Sequence, residues 1–469
     1  MNATLSYLLS AAPFFLALFV ALAGATLVVT GATKPWWGVA AYLALLFYFP
    51  NASWGIVDQI DNSSFYNRGT GIFFFSAINI FLFGLVVQTF VGRTWTNTPP
   101  ITHNLKIPAL LFGLILLGNI LIGSMYDQVH WYDIVAYSGL MNVANFMFAF
   151  YVFTSCVKEA EDLKKLINVL LFCAVTRGIW GLVRFVALGG DPANFYSNFQ
   201  HIDVKLTFFD INDTLIAMLA LFIIAWRLSI DQISKTPIRI AYYAIVGLEL
   251  FIIVFSCRRT AWGGLALAAL LFSFCQKKNV RYRLIAGYLL GGLPLLVYKM
   301  LQRSVQSVHQ GSLIERLFPD VASGGGLNFT TGRFSELFAA FLTWKESPWL
   351  GLGAWGRYSG FRFSELAWHH GNFGWMHSGV MHLALKSGLL GVAISLAAFV
   401  GVIRFSLKVK GGMASFELCL LMGGLAGILF MLPNWLIGTP VIEFRTMQLM
   451  AFTFALPYMA YTISQKIKG

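Results

Sequence analysis

The sequence predicts an all-α polytopic membrane protein of about 12–14 transmembrane helices with one large extracytoplasmic loop. Three observations carry that reading. The 469 residues are 58% hydrophobic and only 11% charged, with a mean hydropathy of +0.70, where a soluble chain carries roughly a quarter charged residues. The apolar runs are long, rich in Leu, Ala and Phe, and lack the roughly ten-residue rhythm of an outer-membrane barrel. The basic residues fall largely in short connections between these runs, so the net charge of +13 reads as positive-inside bias and not as a nucleic-acid surface.

About thirteen apolar segments reach or approach the length of a span. They lie at 11–31, 36–50, 71–92, 107–123, 134–156, 165–188, 207–226, 238–256, 260–275, 284–300, 379–404, 416–436 and 445–463. The first lacks a basic leader and a small-residue cleavage site, so it reads as a retained span. The second is short and ends at Pro50. No repeat or low-complexity linker stands out, so 1–469 reads as a single membrane domain with the loop 301–378 inserted in it. The five cysteines lie within or at the ends of apolar runs with no C-x-x-C, as small buried hydrophobes do.

The connections sort by charge. Lys34; Arg93 and Lys106; Lys158, Lys164 and Lys165; Arg227, Lys235 and Arg239; Lys277, Lys278, Arg281 and Arg283; Arg404, Lys408 and Lys410; and Lys466 and Lys468 occupy alternate ones. The positive-inside rule puts these in the cytoplasm. The connections at 51–70, 124–133, 189–206, 257–259, 301–378 and 437–444 then face outward.

The stretch 332–391 is the largest polar investment. It gathers Arg333, Lys345, Arg357, Arg362, His369, His370, His377 and His382, with Trp344, Trp349, Trp355, Trp368 and Trp375 between them. Recognition or chemistry is expected there. The tryptophans suit either sugar stacking or an interfacial belt. His377 sits where the loop re-enters the membrane. His382 is five residues on, about 140° away around a helix, and faces another side.

Two features break the charge pattern. Arg258 and Arg259 occupy a very short outward connection, and Arg259 opens the next helix. A helix start with its free N–H groups and an arginine makes an anion site; the alternative is a snorkelling charge. Arg177 and Arg184 lie inside an apolar run, seven residues apart and so nearly on one face. They read either as an anion-binding wall or as internal ion pairs. No outward D-x-D and no H-E-x-x-H occurs, so no catalytic metal and no cofactor are expected. Asp58 and Asp61, and Asp210 and Asp213, are spaced as capping groups.

FSCRRTAWGGLALAALLF resembles the arginine-bearing helix opening of the O-antigen ligase and polymerase superfamily. GRFSELFAAFLTWKESPWLGLGAWG is similar to its next signature, an arginine, a tryptophan-containing helix and P-x-x-G-x-G. HSGVMHLALKSGLLG matches its histidine-to-glycine element in spacing, with His377, Gly388 and Gly391 at the key positions. KLTFFDINDTLIAML resembles the segment ahead of a span, with Lys205 where arginine is common. The chain departs from the pattern at Arg258, Ser378 and Lys386, where the family usually has serine, asparagine and glutamate. The resemblance covers roughly 200–395.

The resemblance implies a GT-C-type enzyme of the bacterial inner membrane, acting on the periplasmic face. It implies an undecaprenyl-diphosphate-linked glycan as donor. The acceptor is a second lipid-linked glycan in a polymerase, or the lipid A core or a protein in a ligase. Inversion at the anomeric centre without a metal is implied. His377 would be the base, since histidine titrates near ambient pH. Arg259 would hold the diphosphate, with Lys205, Arg184, Arg333, Arg258 and Arg177 as further binding residues. Membrane lipid is a partner and nucleic acid is not. The rival class is a lipid-linked glycan transporter, which would show inverted repeats and broken helices.

Overall fold

The computed structural model describes residues 35–48, 77–95, 105–125, 141–194, 197, 203–230, 236–305, 322–323, 326–327, 332–364, 367–441 and 443–468. The expected span 11–31, the pair Asp58 and Asp61, and the connection 51–70 lie outside these residues. Helices dominate: α1 (Trp36–Tyr48), α2 (Ala77–Trp95), α3 (Lys106–Met125), α4 (Met141–Ser155), α5 (Ala160–Ala187), α6 (Ile211–Ile230), α7 (Thr236–Phe255), α8 (Arg259–Phe274), α9 (Lys278–Gly287) and α10 (Leu293–Val305). After a two-residue ribbon, β1 (Ala322–Ser323) with β2 (Gly326–Leu327), come α11 (Gly332–Trp344), the hairpin β3 (Tyr358–Ser364) and β4 (Ala367–Phe373), α12 (Gly379–Val409), α13 (Ser415–Ile437) and α14 (Phe444–Lys468).

Six described helical stretches are long and apolar enough to cross a membrane, and four shorter apolar helices accompany them. The protein is an all-α polytopic membrane protein. α6 and α13 are apolar on all sides and buried on nearly all of them, as central helices of a bundle must be. Glycines let their backbones close on neighbours. A Cβ at Gly424 would meet Leu456 at 2.9 Å, and one at Gly427 would meet Thr453 at 2.7 Å, so α13 packs tightly on α14. By contrast no residue of the span Lys278–Lys299 is fully buried, and most of its side chains face outward from the bundle. It carries a π turn, Tyr288–Gly292, between α9 and α10.

The basic connections come together at one end of the bundle. Arg93 Nη1 donates to Ser155 Oγ at 3.1 Å, and Lys466 Nζ donates to the Lys158 carbonyl at 2.9 Å. The basic-poor connections meet at the other end, where Asn142 Nδ2 donates to the Val441 carbonyl at 2.9 Å and Arg445 reaches the Phe47 carbonyl. The described residues of the insertion from α11 onward lie at that second end. α11 is amphipathic, and its apolar side packs under β3 around Ala340, Tyr358, Met376 and Leu385.

Candidate active site

The signature SPWLGLGAWG is a clamp on a broken helix. α12 carries a non-helical residue at Gly388, with φ 64° and ψ −169°. Only glycine adopts that geometry without strain. The break frees backbone groups, and the signature takes them. Leu389 N–H donates to the Pro348 carbonyl at 2.9 Å, and Leu352 N–H donates to the Leu385 carbonyl at 2.8 Å. Gly351, at φ 70°, would bring a Cβ within 2.6 Å of the α12 backbone, so the approach also requires glycine. Buried Lys386 donates to the Gly356 carbonyl. The lysine at the family's glutamate position thus holds the signature loop in place.

His377 stands more than two turns before this clamp, just ahead of α12. Ser378 is the N-cap and accepts from Met381 N–H at 3.2 Å. A short polar cap does this work whether it is serine or asparagine, so Ser378 is a structural variant of the family residue. The cap fixes the preceding residue. His377 Nδ1 lies 2.8 Å from Glu336 Oε2, and the His377 N–H donates to the same oxygen at 3.1 Å. Glu336 is fully buried on α11, while the His377 side chain keeps 17% of its surface open. Trp375 stands edge-on to the imidazole at 5.3 Å. A carboxylate at Nδ1 assigns the ring proton there and leaves Nε2 as the acceptor. His382 is buried inside α12, away from this opening.

The arginine-bearing loops form a second group at the same end. Arg258 is the N-cap of α8 and Arg259 its first residue. Arg258 donates to the Phe209 carbonyl and lies over the Phe209 ring. Arg184 pairs with Asp191 at 3.4 Å, and Asp191 accepts from Phe209 N–H at 2.7 Å. Burial pushes the Asp191 carboxyl above its ordinary range, and Arg184 opposes that push. Lys205 is exposed on the connecting loop beside them. The structure therefore draws Arg184, Lys205 and Arg258 around the loop ahead of α6. Arg333 lies in the first turn of α11, and its side chain falls outside the described residues. The two groups share α13: Gly264 of α8 abuts the Phe430 backbone, and Gly379 of α12 would meet Trp435 with a Cβ at 2.7 Å.

Arg177 corrects the anion-wall reading. Its guanidinium takes both oxygens of Asp213, at 3.0 Å and 2.9 Å, and both side chains are buried. Asp213 is therefore an ion-pair partner and not a cap. Asp210 does cap α6, accepting from Asn212 N–H at 2.8 Å, and it also receives Arg445. Arg445 is buried in the first turn of α14 and stands 3.6 Å from Asp213. Arg184, too, is an internal pair, though one at the edge of the cationic loops.

Three residues of this end escaped the sequence reading. Glu336 was visible within GRFSELF, but nothing local tied it to a histidine 41 residues on. Arg445 and Glu443 stood at the margin of an apolar run, where a charge reads as a boundary. Glu443 accepts from Thr439 at 3.0 Å and from Thr446 at 2.7 Å.

No curated protein matches the chain. Residues 243–396 match the family described as O-Antigen ligase. That segment runs from α7 into α12 and holds Arg258, Arg259, Glu336, the glycine clamp and His377. Over residues 243–396 the protein is thus similar to the O-antigen ligase family, in agreement with the resemblance seen in its sequence motifs.

Proposed function

We propose that the protein is an inverting glycosyltransferase that moves a glycan from undecaprenyl diphosphate to an acceptor hydroxyl on the periplasmic face of the inner membrane. The observation that carries this reading is the His377–Glu336 pair, a partly open imidazole oriented by a buried carboxylate. The acceptor oxygen attacks the anomeric carbon, and its proton passes to His377 Nε2. The bond from that carbon to the diphosphate oxygen breaks, and undecaprenyl diphosphate leaves with the electron pair. Glu336 holds the ring tautomer and stabilises the imidazolium. Arg259, helped by Arg258, Lys205 and the start of α8, stabilises the charge that grows on the leaving group. Arg333, the arginine of the second signature, joins them in this reading. Arg184 acts through Asp191 to hold the cationic loop. No step in this scheme calls on a metal or a cofactor.

The acceptor has two readings. Polymerisation of repeat units follows from the sequence's departures from the family pattern. Ligation to a lipid A core or a protein is favoured by the matched family's description and by the structural roles of Ser378 and Lys386, which remove two of those departures from the acceptor question. A gel of envelope glycans from a deletion strain separates them. Single-repeat products mark a polymerase, and intact unattached polymer marks a ligase. Transfer by purified protein in detergent, with no closed bilayer, excludes a transporter.

A further inference from the structure

The structure holds a lipid-shaped feature that the transfer scheme does not use. A cavity of about 390 Å³ lies between α3, α4, α12 and α14, within the roughly 300–1,000 Å³ of ligand sites. Its length is apolar, walled by Phe112, Phe146, Met147, Phe399, Met450 and Phe454. It follows α4 from Val143 to Ser155, about 20 Å at the rise of an α-helix. A compact solute does not need such a shape, and a hydrocarbon chain does.

The two ends of the cavity differ. Arg93, Lys106, Tyr151 and Ser155 crowd one end. Arg93 donates to Ser155 Oγ at 3.1 Å, and its guanidinium lies 5.7 Å from the Tyr151 ring centroid. The other hydroxyls are satisfied within their own helices, Thr154 on the Phe150 carbonyl and Ser395 on the Gly391 carbonyl. No acidic residue is among the lining residues described. Two cations without an acid at the mouth of an apolar slot fit an amphiphile with a negative head. α3 is the outer wall, and its far face, with Leu110, Leu114, Leu117 and Leu121, is exposed for lipid. Among the described residues, α3 forms the wall of the slot on that side.

We infer that this cavity binds an anionic phospholipid, with an acyl chain along α4 and the phosphate on Arg93 and Lys106. The end that carries these cations also carries Lys158 and Lys466. It is the end opposite His377. A donor lipid held for reaction places its diphosphate at the His377 end, so a lipid with its head on Arg93 and Lys106 is a second molecule from the other leaflet. The side of the slot formed by Leu383, Ile394 and Phe399 belongs to α12, the helix that His377 precedes. Occupancy therefore supports the helix on which the proposed base is mounted.

The test uses the full chain in nanodiscs with phosphatidylglycerol carrying a photoreactive group midway along one acyl chain. The expected result is crosslinking to peptides bearing Met147, Phe399 or Phe454, roughly tenfold stronger than from a phosphatidylcholine probe of the same chain. The Arg93→Gln, Lys106→Gln double variant should lower the phosphatidylglycerol signal by about the same factor. Equal labelling by the two probes overturns the inference even if the double variant does not fold. Unchanged labelling in a folded double variant overturns it as well. A polyprenyl diphosphate that displaces the probe equally from both proteins would make the slot the donor's tail groove, and that too overturns it. These outcomes do not depend on whether transfer occurs.

Discussion

Glu336 Oε2 receives both the Nδ1 position of His377, at 2.8 Å, and the His377 backbone N–H, at 3.1 Å. One buried oxygen thus fixes the ring and the chain that carries it. Glu336→Gln keeps the shape but no longer imposes one tautomer. Transfer should fall roughly 10- to 100-fold, within the range of general-base effects, while donor binding is retained. Glu336→Asp, with the carboxylate drawn back, should recover less than half of the loss. Wild-type turnover in a folded Glu336→Gln protein would reduce the pair to a packing contact.

The two adjacent arginines should separate. Arg258 is the N-cap and has the Phe209 carbonyl and ring as partners, and Arg259 is the first residue of α8. Arg259→Ala should cost about 10²–10³ in turnover, the usual loss for one donor to developing charge. Arg259→Lys should recover part of it, since lysine lacks the bidentate fork. Arg258→Ala should cost less in turnover, and should also lower thermal stability through loss of the Phe209 contacts. Equal losses in turnover from both would place both on the leaving group.

The ion pair inside the bundle is a structural element. Asp213 meets Arg177 through both oxygens and Arg445 through one. Removing one partner strands buried charge, at a cost of about 3–5 kcal/mol. Asp213→Ala should therefore lower the melting midpoint in detergent sharply. Asp213→Asn, which keeps hydrogen bonds to Arg177, should lower it less. A midpoint unchanged in Asp213→Ala would mean that water reaches the two arginines.

Stability should also respond to pH through Glu443. Burial first, and the neighbouring Asp210 carboxyl second, raise the Glu443 carboxyl above its ordinary range, against the pull of Thr446, Arg258 and Thr439. The folded protein then keeps this proton to higher pH than the unfolded chain does. Its contribution to stability is present below the ordinary carboxylate range and declines as pH rises through the raised value. Glu443→Gln removes that decline. The midpoint of the variant relative to wild type should rise with pH, and a pH-independent difference would contradict the assignment.

Much of this end of the molecule could be read from residues in a row. Arg259 stands at a helix start because a second cation after Arg258 has little other use in an outward turn. His377 stands at a helix mouth because the apolar run begins two residues later. What could not be read is what folding joins. Gly388 breaks α12 only because Pro348 and Trp349 supply partners for the freed N–H groups, and that loop lies far upstream. Arg177 looked like an anion ligand because Asp213 is on another helix. The insertion read as a polar, aromatic loop in which only the resemblance placed a helix, and the β3–β4 hairpin went unread because its strands are short and aromatic. Their order comes from packing around Tyr358 and Met376.

The central claim is that His377 Nε2 takes the acceptor proton, and the most direct measurement is single-turnover transfer by purified His377→Ala with undecaprenyl-diphosphate-linked glycan, alongside donor binding and the melting midpoint. The account predicts a rate loss of about 10²–10⁴, with donor affinity and midpoint near wild type, and a much smaller loss in His382→Ala. A folded His377→Ala protein that binds donor and turns over within a fewfold of wild type would contradict it, and would leave catalysis to the arginines alone.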